Sequence, residues 1–568
     1  MKNKFIKETI SKMSLDQKIG SLLTLGFSGT MLRPHIIKYI TDYHCGGLRL
    51  SPTHRVFGSY VDPKTKKQIG NYVNNRGYKA GGIPPSTTAN EYANMLTELN
   101  KIAMNRPGGI PLHFSYDQEG GTSADYNFGG VNIFPKPMGL RATGDPQLAY
   151  EVAKAISAQS KAVGFNWMHS PVLDINVEPN NPEIYTRAYS DDPFEVLEYA
   201  IQSCKGFKEG KMIATGKHFP GRGDSDIDAH FAVPTINVDK DTMFKRELYP
   251  YIELIKQDLL PSIMIAHSIF PAFDSERIAT VSKAVLTGLL REEMGFEGVI
   301  VSDSMTMGAL ANKYGVANAC ALALEAGMDL ILMKAENNLV EDTISTIRDF
   351  VTTGKISEEE LDKKVYRVLS TKHDYGLFTD FEKEDPNTVM NDEKIITLSK
   401  TVAKRSVTVE KCNNLPLNAM EKMLVIEQIN NTPNNMNWHP GSFYKYCTKY
   451  NPQAEYLEVA YSYDEIDKEA ITEAVKDHDT IVITSFFLRG RLSNIEFISE
   501  LMKNNRKNEK NGKKFIIVSN TPYPLSVPDG CDNLIITYAT SPHNLEVVAG
   551  VLFGKVNAEG IYPIKWRQ

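Results

Sequence analysis

No stretch of this 568-residue sequence stays apolar for the ~20 residues that a helical bilayer crossing requires. The N-terminal run MKNKFIKETISKMSLDQKIGSLL starts basic but has no uninterrupted apolar core and no small-residue cleavage site, so it does not read as a signal peptide. Cysteine is scarce. Cys45, Cys204, Cys320, Cys412, Cys447 and Cys531 lie far apart, and no pair has zinc-ligand or redox spacing. Free thiols and a reducing, cytoplasmic compartment are the expectation. Charge of one sign is also lacking. The formal net charge of -6 is small for this length and calls for neither nucleic acid nor an anionic membrane as partner. There is no low-complexity tract and no 20–50-residue repeat. A hydrophobic content of 42% leaves no room for large disordered arms.

What is present is too long for one core. Short apolar runs bounded by turn residues recur at 19–27, 46–50, 112–118, 165–175, 212–219, 262–270, 298–305 and 329–333. Amphipathic helical segments such as 145–163 and 193–209 separate most of them. Eight strand-then-helix units predict an α/β fold with an N-terminal (β/α)8 TIM-like barrel; a doubly wound open sheet is the competitor. Residues 377–394, LFTDFEKEDPNTVMNDEK, are polar and acidic and read as a linker. The pattern restarts with strands at 423–427, 480–487, 515–520 and 534–538 and a helix at 544–552. The predicted division is therefore a catalytic barrel over 1–376, a linker over 377–394, and a smaller α/β (αβα) sandwich over 395–568, without a glycine-rich phosphate loop at its first strand. The segment 51–86 has no clear period. It reads either as a loop over the active-site face or as a peripheral insertion.

Barrel enzymes place their chemistry at the C-terminal ends of the strands. Here those ends carry Asp117, Asp174, Lys217 with His218, His267 and Asp303. In VIVSDSM three apolar residues deliver Asp303 between two serines, where an ionised carboxylate is placed to attack an anomeric carbon. In KHFPGRGDSDIDAHFAVP, Lys217 and His218 precede a glycine-containing loop that ends in Asp228-Ala229-His230. An aspartate near a histidine can orient the imidazole and raise its pKa toward neutrality. In FSYDQEGG the short Asp117 can accept two sugar hydroxyls, and in YTRAYSDDP Arg187 is a candidate sugar or carboxylate ligand. Taken singly, each of these residues is more commonly a capping, salt-bridged or surface group. Their convergence on strand ends is what argues for a site.

The order and spacing of DQEGG, KHFPGRGDSDIDAH, MIAHSIF and VSDSM resemble glycoside hydrolase family 3, and more closely its β-N-acetylhexosaminidase branch. The resemblance runs from about Met13 into the second domain, where VLFGKVNAEGIYPI is similar to the family's closing segment. It implies exo-acting, retaining removal of terminal β-linked N-acetylglucosamine. Asp303 would be the nucleophile and His230 the acid/base, oriented by Asp228. Asp117, Arg187, Lys217 and His218 would hold the sugar hydroxyls, with His267 at the floor. One carboxylate of the usual retaining pair is then replaced by an imidazole. A neutral imidazole does not repel an anion, so phosphate remains open as an alternative acceptor to water. The substrate is a small carbohydrate, and no cofactor or metal is implied.

The sequence departs from the family in three places. After DQEGG the run TSADYNFGG lacks the family's sugar-binding arginine, and none follows until Arg141. Arg222 stands where many relatives carry histidine. The 51–86 segment is long. A β-glucosidase, a phosphorylase and a non-catalytic carbohydrate-binding protein are the competing readings. A metal-dependent hydrolase would want a His-x-His pair on the first strand, which GSLLTLGF lacks. The Arg222-Gly223-Asp224 tripeptide lies inside the expected catalytic loop and reads as coincidence with an adhesion motif.

Overall fold

A computed structural model describes residues 2–52, 60–61, 68–69, 87–229, 232–334, 339–379, 383–429, 442–489, 492–506 and 512–565. Eight parallel strands form the first sheet: β1 Leu23–Ser28, β2 Gly47–Ser51, β3 His113–Tyr116, β4 Trp167–Met168, β5 Ile213–Phe219, β6 Ser262–Ile265, β7 Val299–Ser302 and β8 Ile331–Met333. Consecutive strands pair from β1 to β7, and β8 returns to pair with β1. A single bridge, Val301 to Leu330, joins the β7 and β8 sides, so the barrel is nearly closed. Every residue of these strands is buried, as expected where helices cover the outside and side chains fill the inside. The competing open sheet is thereby excluded.

The strands are shorter than the sequence runs, for local reasons. The run from Ile19 begins in helix Leu15–Ser21, because Ser14 and Gln17 form a capping box that starts a helix there. The fourth run shrinks to two residues. Pro171 has no N–H to donate, and the chain rejoins the sheet only through a bridge from Val172 to Lys217. The third run stops at Tyr116, after which Gln118–Gly120 turns into a short hairpin with Ser123–Ala124. The helical segments are as expected: Asp145 caps Pro146–Val163 and Asp192 caps Pro193–Glu209. Of the 51–86 segment only 51–52, 60–61 and 68–69 are described, so the reading of it as an active-site loop lies outside the described residues.

The second sheet has six strands: β9 Thr408–Cys412, β10 Met423–Ile429, β11 Glu455–Ala460, β12 Thr480–Ser485, β13 Lys514–Ser519 and β14 Asn533–Ile536. Its order is β9-β14-β13-β12-β10-β11, parallel except for β9 against β14. The four inner strands are those anticipated from sequence. The two edges, TVEKC and EYLEVA, are half-polar and partly exposed, which hid them. Apolar clusters cover both faces. Ile471, Val475, Ile498 and Met502 lie on one, and Phe443, Leu545, Val548 and Leu552 on the other, which makes the αβα sandwich. Within 383–406, helices Pro386–Met390 and Glu393–Ser406 start on Asp385 and Asp392 caps.

The two units share a core. Met138, Ala142 and Tyr185 of the barrel belong to the same cluster as Phe487, Ile536 and Tyr538 of the sandwich. Tyr185 meets Phe487 edge to face at 5.1 Å. A Cβ on Gly139 would come within 2.7 Å of the Tyr538 Cβ, so glycine is required at this approach. Among the described residues no helix is long and apolar enough to cross a membrane.

At the opposite, N-terminal end of the barrel, Lys372 is fully buried and donates to the carbonyls of Gly46 (2.6 Å) and Pro111 (2.8 Å). Burial pushes its pKa down to about 7, with Arg106 adding to the effect. The unfolded chain therefore binds a proton that the folded chain has lost between pH 7 and the ordinary lysine range, and stability attributable to this site rises with pH across that window. Relative to Lys372→Met, the wild-type protein should gain on the order of 1 kcal/mol per pH unit between pH 7.5 and 9.5, read as a difference in thermal midpoints measured across the series. A flat difference would mean that Lys372 does not titrate there.

Candidate active site

Five barrel strands deliver charged groups to one end. Asp117 follows β3 directly, Lys217 and His218 lie near the end of β5, His267 stands two residues past β6, and Asp303 directly follows β7. Asp174 comes in from the irregular chain after β4. The peptide between Lys217 and His218 is cis.

Lys217 is 2% exposed and bridges two carboxylates, Asp117 at 2.8 Å and Glu119 at 2.5 Å. Arg187 closes on Glu119 with two bonds, Nε to Oε2 at 2.7 Å and Nη2 to Oε1 at 2.8 Å. This is the bidentate geometry that suits a guanidinium and a carboxylate. Its remaining Nη1 donates to the Glu183 carbonyl at 3.0 Å. Burial alone would raise Glu119, but Arg187 and Lys217 overcome it and hold the carboxyl down to about 2. Asp117 is likewise held well below the usual carboxylate range: Lys217, Arg49 and His169 outweigh its burial. Arg49 on β2 donates to Asp117 and lies 2.6 Å from Asp125, a member of the altered segment TSADYNFGG. Of this cluster, Asp117 is the most open, with its side chain 32% exposed.

His218 joins the next link. Its Nε2 faces Arg187 Nη2 at 3.4 Å, and a guanidinium can only donate, so Nε2 accepts and Nδ1–H donates to Asp174 Oδ2 at 2.7 Å. Burial, together with Arg222, Arg187 and Lys217, pushes the imidazole well below its ordinary pKa and keeps it neutral. Burial pushes Asp174 the other way, up to about 6, against the pull of Arg222. Asp174 Oδ1 accepts from the backbone N–H of Arg222 at 2.7 Å, which ties β5 to the loop that follows it.

Asp303 sits where that loop meets β7. Its Oδ1 accepts from the N–H of Ser304 at 2.7 Å, and its Oδ2 lies 3.6 Å from Arg222 Nη1. His267 is fully buried. Its Nε2 donates to the Ser304 carbonyl at 3.0 Å and its Nδ1 meets the Thr280 hydroxyl at 2.6 Å, so it fastens the turn that carries Asp303. Asp228, 8% exposed, faces Arg489 of the sandwich, with Nε to Oδ2 at 3.8 Å. The loop passes so close to Ile175 that a Cβ on Gly223 would lie 1.7 Å from the Ile175 carbonyl oxygen. His230 lies outside the described residues.

Contacts thus connect Asp117, Lys217, Glu119, Arg187, His218, Asp174, Arg222 and Asp303 in one chain. His267 is attached through Ser304. Sequence reasoning passed over Glu119, although it stands inside DQEGG, and over Arg49, Asp125, His169, Glu183 and Arg489. A charged residue inside the apolar run GGLRL was a usable sign for Arg49, since a cation on a buried strand needs a partner. Nothing local marks Arg489, which reaches the site from a different domain.

Two outcomes test this geometry. Lys217→Met leaves the buried Glu119 and the half-buried Asp117 short of a counter-charge and should cost about 3–5 kcal/mol of stability, seen as a lower thermal midpoint. Gly223→Ala forces the loop off Ile175 and should reduce turnover at least tenfold while the circular dichroism of the fold stays near wild type. Wild-type turnover in this variant would mean that the loop position is not required.

Residues 14–371 match the family model described as the glycosyl hydrolase family 3 N terminal domain. The chain is 31% identical over 294 residues to β-hexosaminidase A of Pseudoalteromonas piscicida, covering 48% of this chain and 49% of that protein. It is 30% identical over 352 residues to a β-N-acetylglucosaminidase/β-glucosidase of Cellulomonas fimi, covering 59% of this chain and 60% of the relative. These matches span less than two thirds of either relative. In three dimensions the chain is similar to a glycoside hydrolase family 3 β-N-acetylglucosaminidase from Paenibacillus sp. str. FPU-7. The TM-score is 0.83 and the identity 27%, over 97% of this chain and 99% of that one.

Proposed function

Because the chain belongs to glycosyl hydrolase family 3, we propose that it is a retaining, exo-acting β-N-acetylglucosaminidase that cleaves terminal β-linked N-acetylglucosamine. The observation that carries this reading is the placement of Asp303. It directly follows β7, its Oδ1 is fixed by the Ser304 N–H, and its Oδ2 lies 3.6 Å from Arg222, a residue of the loop whose sequence runs on to Asp228-Ala229-His230. The names of similar proteins support this reading: the Paenibacillus protein is a β-N-acetylglucosaminidase, the Cellulomonas fimi protein a β-N-acetylglucosaminidase/β-glucosidase and the Pseudoalteromonas piscicida protein a β-hexosaminidase.

In this mechanism the Asp303 carboxylate attacks the anomeric carbon and the glycosidic C–O bond breaks. The departing oxygen takes the proton of His230, which Asp228 orients. The neutral imidazole then removes a proton from water, the resulting hydroxide attacks the anomeric carbon, and Asp303 leaves. Asp117 presents its open carboxylate to sugar hydroxyls. Lys217, Arg187 and His218 form the wall behind it, and His267 acts beneath Ser304. We further propose the division into barrel 1–376, linker 377–394 and sandwich 395–568, and a reducing, cytoplasmic location, which the scarcity and wide spacing of the cysteines along the sequence favour.

Asp303→Asn should lower kcat on the order of 10⁴-fold with the fold intact. His230→Ala should cost roughly 10²–10⁴-fold on alkyl glycosides and far less on nitrophenyl glycosides, whose leaving groups need little protonation. The direct assay is release of nitrophenol from the β-N-acetylglucosaminide and the β-glucoside, each with and without phosphate. Preference for the acetylated substrate supports the proposal. Preference for the glucoside, or phosphate-dependent formation of a sugar phosphate, replaces it with a β-glucosidase or a phosphorylase.

A further inference from the structure

One buried carboxylate at the site has no part in the mechanism above. Glu183 is 2% exposed and sits in NPEIYTR, between the barrel and the sandwich. Its Oε1 accepts from Arg222 Nη2 and lies 3.4 Å from Arg489 Nη1, and its Oε2 accepts from the Ala229 N–H at 3.3 Å. Its backbone is fixed in turn. Asn181 Oδ1 accepts from the N–H groups of Glu183 and Ile184, while Asn181 Nδ2 donates to the Arg222 carbonyl at 2.8 Å.

Each partner of Glu183 leads to a different part of the machinery. Arg222 extends past Glu183 to within 3.6 Å of Asp303. Arg489 extends to within 3.8 Å of Asp228. Ala229 is the residue between Asp228 and His230, and its peptide is held on both sides: its N–H by Glu183, and its carbonyl by the N–H of Ala309 at 3.4 Å, from the helix Gly308–Tyr314 that follows Asp303. Arg222 is itself 2% exposed; among the described residues its Nε and Nη1 have no hydrogen-bond partner, and Glu183 takes the hydrogen bond of its Nη2. A charge-assisted bond in so buried a setting is stronger than at a surface, and a misplacement of the order of 1 Å costs about 10²-fold in rate.

We propose that Glu183 is a positioning residue: through Arg222, the Ala229 N–H and Arg489, it sets the nucleophile, the acid/base loop and the second domain in one register. The proposal rests on the reading of Asp303 as nucleophile and of the Asp228-Ala229-His230 loop as acid/base. Glu183 touches no reacting atom, so its effect is on kcat and not on the binding of the sugar.

The test uses the full-length chain and compares Glu183→Gln, Arg489→Gln and the double variant on a nitrophenyl and an alkyl β-N-acetylglucosaminide. Glu183→Gln should lower kcat about 10²-fold on both substrates with KM changed less than threefold. Arg489 is partly exposed, so its substitution is expected to fold. Arg489→Gln should lower turnover of the alkyl glycoside about tenfold and that of the nitrophenyl glycoside less than twofold, because Arg489 faces Asp228 directly and reaches Asp303 only through Glu183 and Arg222. Arg489→Lys should recover part of that loss. In the Glu183→Gln background Arg489→Gln should add no further loss. Unchanged kcat in Glu183→Gln overturns the proposal, as do fully multiplicative losses in the double variant. If Glu183→Gln fails to fold, equal losses on both substrates in Arg489→Gln overturn it. Absence of wild-type turnover on both glycosides removes the glycosidase reading and this proposal together, whereas wild-type turnover with an unaffected Glu183→Gln removes the positioning role alone.

Discussion

The buried charge balance around Lys217 is the constraint on which the rest of the site depends. A lone carboxylate this deep would take up a proton instead of staying charged. Glu119, and beside it the half-buried Asp117, remain ionised because Lys217 lies between them and because Arg187 and Arg49 close the outer sides. The cluster uses residues from β2, β3, β5 and the loop before Pro193–Glu209. No member can move without leaving a partner short of its counter-charge, so the strand ends are locked to one another electrostatically as well as by the sheet. The open carboxylate of Asp117 inherits that rigidity, and a hydroxyl-binding group needs it if binding is to fix orientation.

From this centre the structure alternates sign. Glu119 leads to Arg187, Arg187 to neutral His218, His218 to Asp174, Asp174 to Arg222, and Arg222 to Asp303. The neutrality of His218 is the condition for the middle of that series. A protonated imidazole would set a third cation beside Arg187 and Arg222, and burial prevents it. Charged and polar groups linked in this manner strengthen one another in a buried setting.

How much of this could be read from the residues themselves differs by kind. The barrel was legible, because each strand is an apolar run buried on both faces, and so were the four inner strands of the sandwich. The ends of runs were less so. Ile19 heads an apolar run, yet Ile19 to Ser21 close a helix that the Ser14–Gln17 capping box starts. In the site, residues that stand where a strand stops, Asp117, Lys217 and Asp303, were visible from position alone. Glu119 stands within the DQEGG motif, but its partner Arg187 is 68 residues away and no spacing rule connects them. Arg489 was the least accessible. It lies after β12 of another domain, and only the packing of that domain on the barrel brings it beside Glu183 and Asp228.

Tyr185 belongs to the apolar cluster of the sandwich while its chain neighbours at 183 and 187 belong to the charged network of the barrel. Its backbone adopts φ 31°, an uncommon conformation for a residue with a side chain, and the ring is held edge to face on Phe487. The five-residue span 183–187 therefore has two owners. A substitution at Phe487 or Tyr538, well away from any carboxylate, reaches the charged site through one short piece of backbone. The sandwich thus acts as a gauge block against which the barrel's charged loop is set, and divergence in one domain has to be answered in the other.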